Sequence, residues 1–144
     1  MPDQRFRIGD EIPPRQFTAD DDSMRVFSLI MDDPNPIHFD PEFVSRNGLG
    51  DGPVNQGTLN LAYPLDAVLD WAGAAALVER FTCRFLGSVH SGDRVSAAGQ
   101  VTAVDDGPPE RATVSLWLEL ADGVRVLEGE ATLAVGTDGE TPGG

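Results

Sequence analysis

The chain has 144 residues, the length of one domain, and its 40% apolar content is enough for a real core at that size. All ten basic residues are arginine, they face 24 acidic ones, and the net charge of −14 excludes nucleic acid and anionic membranes as partners. A lone cysteine, Cys83, excludes an intrachain disulfide, and with His38 and His90 as the only histidines no metal site and no cofactor are expected.

The first residues lack an apolar signal core, and the most apolar stretch, around Trp71 to Val78, is too short and too broken to span a bilayer. The expectation is a cytoplasmic protein with one domain over residues 1–136 and a disordered, Gly/Pro/Thr-rich tail over 137–144.

In chain order, cap residues between Asp20 and Ser23 open a short helix that carries Val26, Phe27, Leu29 and Ile30 and ends before Asp33. Asp40 as N-cap and Pro41 at the first helical position start a second, which Gly48 stops. After a loop over Leu49 to Asn55, a longer helix runs from Gln56 to about Trp71. It is apolar over most of its circumference, which suits a helix buried inside a sheet, and Pro64 lies within it.

The remainder reads as strands over Leu77 to Val89, Arg94 to Asp105, Arg111 to Ala121 and Val124 to Val135, and Thr113 to Leu120 alternates clearly. Turns fall at Ser91-Gly92-Asp93, Asp106 to Pro109 and Ala121 to Val124. Helices followed by antiparallel strands indicate an α+β domain. Cys83, in an alternating segment, reads as a buried structural thiol.

Chemistry concentrates at Asp33-Pro34-Asn35-Pro36-Ile37-His38. The prolines push Asp33 and Asn35 toward extended conformations, so the side chains project from a stiff turn. A carboxylate and an imidazole five residues apart form an acid/base pair if both reach one water, and imidazole titrates near neutrality. Asn35 cannot titrate and is given a supporting role. The same residues also suit a plain Asx-turn with a structural histidine.

Asp33-x-Asn35-Pro36-Ile37-His38, followed by Phe39 to Phe43 and by Gly52-Pro53-Val54-Asn55-Gln56-Gly57-Thr58-Leu59, resembles the hydratase motif of MaoC-like (R)-specific enoyl-CoA hydratases and dehydratases. The resemblance covers most of the chain. It implies a single hot-dog domain, an antiparallel sheet wrapped around a long central helix. It also implies reversible hydration of trans-2-enoyl thioesters, with Asp33 and His38 holding the catalytic water and the Gly57 N–H binding the thioester carbonyl. That last role agrees with the donors and positive dipole end of a helix start.

Gln56, Thr58, Asn60 and Arg84 are weaker candidates for substrate contact. Met31-Asp32 stands where many members carry Ser or Thr then Gly, and Gln56-Gly57-Thr58 where many carry His-Gly-Met. An acyl thioester of coenzyme A or of an acyl carrier protein would need a local basic patch, for which Arg46, Arg80 and Arg84 lie nearest the motifs. The implied assembly is a homodimer, with a heteromer as alternative. Two other readings of the scaffold are a specialised dehydratase, cyclase or isomerase, and a tunnel-shaping partner subunit.

Overall fold

The computed structural model describes residues 5–33, 35–50 and 52–136; the expected tail over 137–144, and Pro34 of the motif, lie outside the described residues. Five strands form one antiparallel sheet: β1 (Glu11–Thr18), β2 (Ala76–Phe85), β3 (Arg94–Asp105), β4 (Glu110–Leu120) and β5 (Arg125–Val135), in the order β1-β3-β4-β5-β2. Three helices, α1 (Asp21–Ile30), α2 (Pro41–Arg46) and α3 (Gly57–Ala72), and a 3-10 turn over Pro36–His38 fill the interval between β1 and β2.

The alternation read in β4 sets the core. Ala112, Val114, Leu116 and Leu118 are buried, and the residues between them are only partly so, because successive strand side chains point to opposite faces. Leu127, Ala131 and Leu133 of β5 and Val95, Ala97 and Val101 of β3 join the same cluster, against Ala67, Val68 and Ala72 of α3. Helix α3 packs on β1, β2, β3 and β4, so the sheet does wrap around it. Its cover is incomplete, however. Asp66 and Asp70 are exposed on its far side, where Arg15 of β1 reaches them at 3.3 and 3.8 Å.

Strand β1 corrects the expectation that helices come first. Its sequence, Glu-Ile-Pro-Pro-Arg-Gln-Phe-Thr, hides the strand because Pro13 and Pro14 have no N–H to give. The structure absorbs both prolines on an edge strand, which pairs only with β3, in a register shift between Ile12 and Arg15. Strand β2 also stops sooner than expected, at Phe85. The chain then turns so that His90 bridges to Val54.

Helix α1 forms where its caps place it, with Asp20 as N-cap accepting from Ser23 N, but its apolar residues face the other way. Met24 and Ser28 are buried, whereas Val26, Leu29 and Ile30 are 55%, 82% and 72% exposed. Asp40 caps α2 as expected, accepting from the N–H groups of Glu42 and Phe43, and Gly48 ends it at a φ of 67°. Among the described residues no helix is long and apolar enough to cross a membrane.

Candidate active site

The turn after α1 is built by its own side chains. Asp32 takes a left-handed φ of 50°, which closes the helix, and the Asp33 N–H turns back to donate to the Ser28 carbonyl at 2.9 Å. Asp33 Oδ1 accepts from Asn35 N at 3.1 Å, and Asn35 Oδ1 accepts from Ile37 N at 3.2 Å. These are two successive Asx-turns. Asn35 thus caps the 3-10 turn that carries His38.

One oxygen of Asp33 remains. Asp33 Oδ2 lies 3.3 Å from His38 Nε2, while His38 Nδ1 makes a 2.6 Å bond to the carbonyl of Val54. A carbonyl only accepts, so Nδ1 carries a proton, and Nε2 is the ring nitrogen turned toward the carboxylate. The turn therefore spends Asp33 Oδ1 and His38 Nδ1 on structure and leaves Oδ2 and Nε2 facing each other. His38 is 7% exposed, and Asp33 is partly exposed at the edge of a groove.

The segment that holds His38 also leads into α3. Val54 N donates to the Ile37 carbonyl at 2.7 Å, and Asn55 N donates to Val89 O at 2.6 Å. Three residues beyond Val54, Gly57 begins the helix. Gln56 gives α3 no side-chain cap, so the first-turn N–H groups are not consumed by it. A Cβ on Gly57 would stand 3.3 Å from the Phe85 ring, tighter than ordinary packing, which explains a residue without a side chain there.

The weaker candidates divide. Gln56 is 3% exposed and its Nε2 donates at 2.8 Å to both the Met24 carbonyl and Ser28 Oγ, so it ties the start of α3 to the inner face of α1. Asn60 is buried and accepts from Asn55 Nδ2 at 2.8 Å; the same nitrogen reaches the Tyr63 hydroxyl at 3.2 Å. Tyr63 stacks on Phe17 at 4.6 Å, and burial pushes its hydroxyl pKa up, with the negative charge of Asp20 adding to the effect and the Asn55 bond opposing it. Thr58 is exposed.

Arg84 lies on the opposite face of β2 from Phe85, paired with Glu128 at 3.7 Å, and so is not brought to the groove. Cys83, expected to be buried, is only partly so, and the burial it has raises the pKa of its thiol.

The groove beside Asp33 has a volume of about 590 Å³ and is lined by Arg25, Ser28, Leu29, Asp32, Asp33 and Phe39. Sequence reasoning missed Arg25 and Ser28. The signal was present in their spacing, since Arg25, Leu29 and Asp32 follow one another at helical intervals directly before the motif. Among the described residues, no cluster of three or more His, Cys, Asp or Glu is placed to hold a metal ion.

Residues 5–119 match the family described as the MaoC like domain. The chain belongs to the MaoC-like dehydratase family. No curated protein matches it in sequence. The (R)-hydratase from A. caviae involved in PHA biosynthesis superposes on this MaoC-like chain with a TM-score of 0.84 at 22% identity, covering 92% of this chain and 99% of that one. The ChsH1-ChsH2 complex from Mycobacterium tuberculosis gives 0.79 at 23% identity, covering 90% and 98%. The C-terminally truncated HadBC (3R-hydroxyacyl-ACP dehydratase) complex from the same organism gives 0.74 at 21%, covering 90% and 98%. At such identities the likeness is one of fold, and the fold of this MaoC-like domain is the hot-dog.

Proposed function

We propose that this MaoC-like domain adds water to trans-2-enoyl thioesters and, in reverse, removes it from (R)-3-hydroxyacyl thioesters. The observation that carries the reading is the facing pair, Asp33 Oδ2 and His38 Nε2 at 3.3 Å, with the other heteroatom of each group already bound to backbone. A water held beside them, within reach of both, gives a proton to the pair as its oxygen bonds to C3. The C2–C3 π electrons move toward the thioester, whose oxygen becomes an enolate. The N–H of Gly57 stabilises that oxygen, because a developing anion gains most from donors already in place. The pair then returns one proton to C2, leaving Asp33 and His38 as they began. Oxygen and proton reach the same face of the double bond because one pair handles both, which makes the addition syn.

The acyl group rides on coenzyme A or an acyl carrier protein. The working unit is a homodimer: β2 pairs on one side only, with β5, and Leu77 and Phe85 on it are 41% and 52% exposed. A heteromeric partner is the alternative, and size exclusion of the purified chain separates the two.

The direct test follows absorbance at the enoyl-thioester band with crotonyl-CoA. Wild-type protein should consume the band. Asp33→Asn and His38→Ala should slow that by about 10² to 10⁴, the usual worth of a positioned acid or base, with the melting temperature kept in Asp33→Asn and lowered in His38→Ala, which also loses the bond to Val54. Near-normal turnover in Asp33→Asn would overturn the assignment.

A further inference from the structure

We propose that Arg25 is the substrate's anion-binding residue, receiving a negative group remote from the thioester. The inference rests on reading the Asp33 groove as the thioester site. A protein with a net charge of −14 repels an anionic ligand, so an acyl thioester that carries phosphate or carboxylate needs a local cation. The arginines named from sequence do not supply it. Arg84 is held by Glu128 on the other face of the sheet, and Arg46 donates at 3.4 Å to the Glu42 carbonyl of its own helix. Arg80 does not line the groove.

Arg25 does line it, beside Leu29, Asp32 and Asp33. Among the described residues its guanidinium has neither a carboxylate nor a carbonyl partner, unlike Arg15, Arg111 and Arg125, each of which is held by acidic side chains. A guanidinium left unpaired in so acidic a protein keeps its five donors available for a planar oxyanion.

Its position says which part of a ligand it meets. Arg25 lies five residues before the end of α1 at Ile30, about 7.5 Å at 1.5 Å per helical residue, and Asp33 lies beyond that end. The cation is therefore too far to act on C2 or C3 and well placed for a group several bonds away. Between the two ends, Leu29 and Phe39, 82% and 41% exposed, offer an apolar wall to the methylenes that would connect them. The ligand these features describe has a thioester at Asp33, an apolar stretch, and an anion at Arg25. That anion is either a carboxylate at the far end of the acyl chain or the phosphate of the carrier arm.

Calorimetric titration of the whole chain with three saturated thioesters, which cannot be hydrated, separates these sources. Butyryl-pantetheine carries no anion, succinyl-pantetheine a terminal carboxylate only, and butyryl-CoA phosphates only. Wild type should bind at least one anionic probe about ten-fold more tightly than butyryl-pantetheine, the scale of one charge-assisted hydrogen bond. Arg25→Gln should erase that preference and Arg25→Lys keep part of it, with melting temperatures unchanged. A preference for succinyl-pantetheine assigns the acyl terminus, and one for butyryl-CoA the carrier phosphate.

Equal affinity of wild type for all three probes, or a preference that survives Arg25→Gln, overturns the proposal. Because the probes do not react, the result is independent of turnover. Arg25-dependent binding without turnover of crotonyl-CoA would defeat the hydration reading alone, and turnover without Arg25 dependence would defeat this one alone.

Discussion

The β3–β5 portion of the sheet and the stretch from Asp20 to Gly57 follow opposite rules of burial. In the sheet the apolar residues are inside: Val114, Leu116, Leu118, Leu127 and Leu133 are at most 1% exposed. Between Asp20 and Gly57 the buried residues include Ser28, His38, Asn55 and Gln56, while Leu29, Ile30 and Met31 stand 82%, 72% and 53% exposed. A buried polar group is costly unless bonded, and in this stretch His38 donates to the Val54 carbonyl, Gln56 to the Met24 carbonyl and Ser28 Oγ, and Asn55 to Asn60 Oδ1, while the Asn55 and Gln56 amide oxygens have no partner among the described residues. The sheet holds the domain together by area removed from water. The helical stretch is held by a few directed bonds, which fix geometry and leave an apolar groove open beside Asp33.

The largest effect that sharpens this contrast is Leu116→Ala. It should cost about 2–5 kcal/mol, the range for a leucine deleted from a packed core, and urea unfolding would read it. Turnover per folded molecule should stay near wild type, since Leu116 is remote in function from Asp33. Asp33→Asn should show the inverse pattern, losing turnover and keeping stability. If Leu116→Ala were to lower turnover of the folded fraction as steeply as Asp33→Asn, the two regions would not be separable.

Gln56→Leu tests the directed bonds themselves. Leucine fills much of the same space and donates nothing, which leaves the Met24 carbonyl and Ser28 Oγ short of a donor inside the protein. The expected loss of stability is about 1–3 kcal/mol. Ser28 also accepts the Asp33 N–H, so loosening α1 should lower kcat more than it raises KM. A variant with wild-type kcat and reduced stability would confine Gln56 to holding the fold.

The sheet was the more legible of the two regions because its rule is local. Alternation from Thr113 to Leu120 names the inner face of β4 without any knowledge of its neighbours, and Gly123, at a φ of 86°, marks the hairpin that follows. Strand β1 was illegible since Pro13 and Pro14 break the local pattern, and only the edge position in the finished sheet makes room for them. Helix α1 was legible in its extent but not in its rotation. Periodicity alone turns Val26, Leu29 and Ile30 inward, whereas the bonds from Gln56, 28 and 32 residues further along the chain, pull Ser28 and the Met24 carbonyl inside. The Asp33–His38 segment could be read because its residues are contiguous. Arg25 could not, because which of ten arginines borders the groove depends on that rotation.

The smallest expected effect lies at the junction of the two regions, where Asp20 ends the run from β1 and caps α1. Its Oδ1 accepts from Ser23 N at 2.7 Å and its Oδ2 from the Ser23 hydroxyl at 2.8 Å. The backbone bond, then the hydroxyl bond, holds its carboxyl below the ordinary 3.8. A group whose folded pKa is depressed stabilises the fold above its unfolded pKa and loses that contribution as pH falls through the folded value. Asp20→Ala should therefore cost about 1 kcal/mol near neutrality, the usual worth of an N-cap. The gap from wild type should stay constant from neutrality down to about pH 5 and narrow only as the carboxyl protonates below that. Urea midpoints of both proteins across that interval check the claim. A gap that widens on acidification would mean that the Asp20 charge opposes the fold, through the neighbouring Asp21 and Asp22, rather than supporting it by the cap.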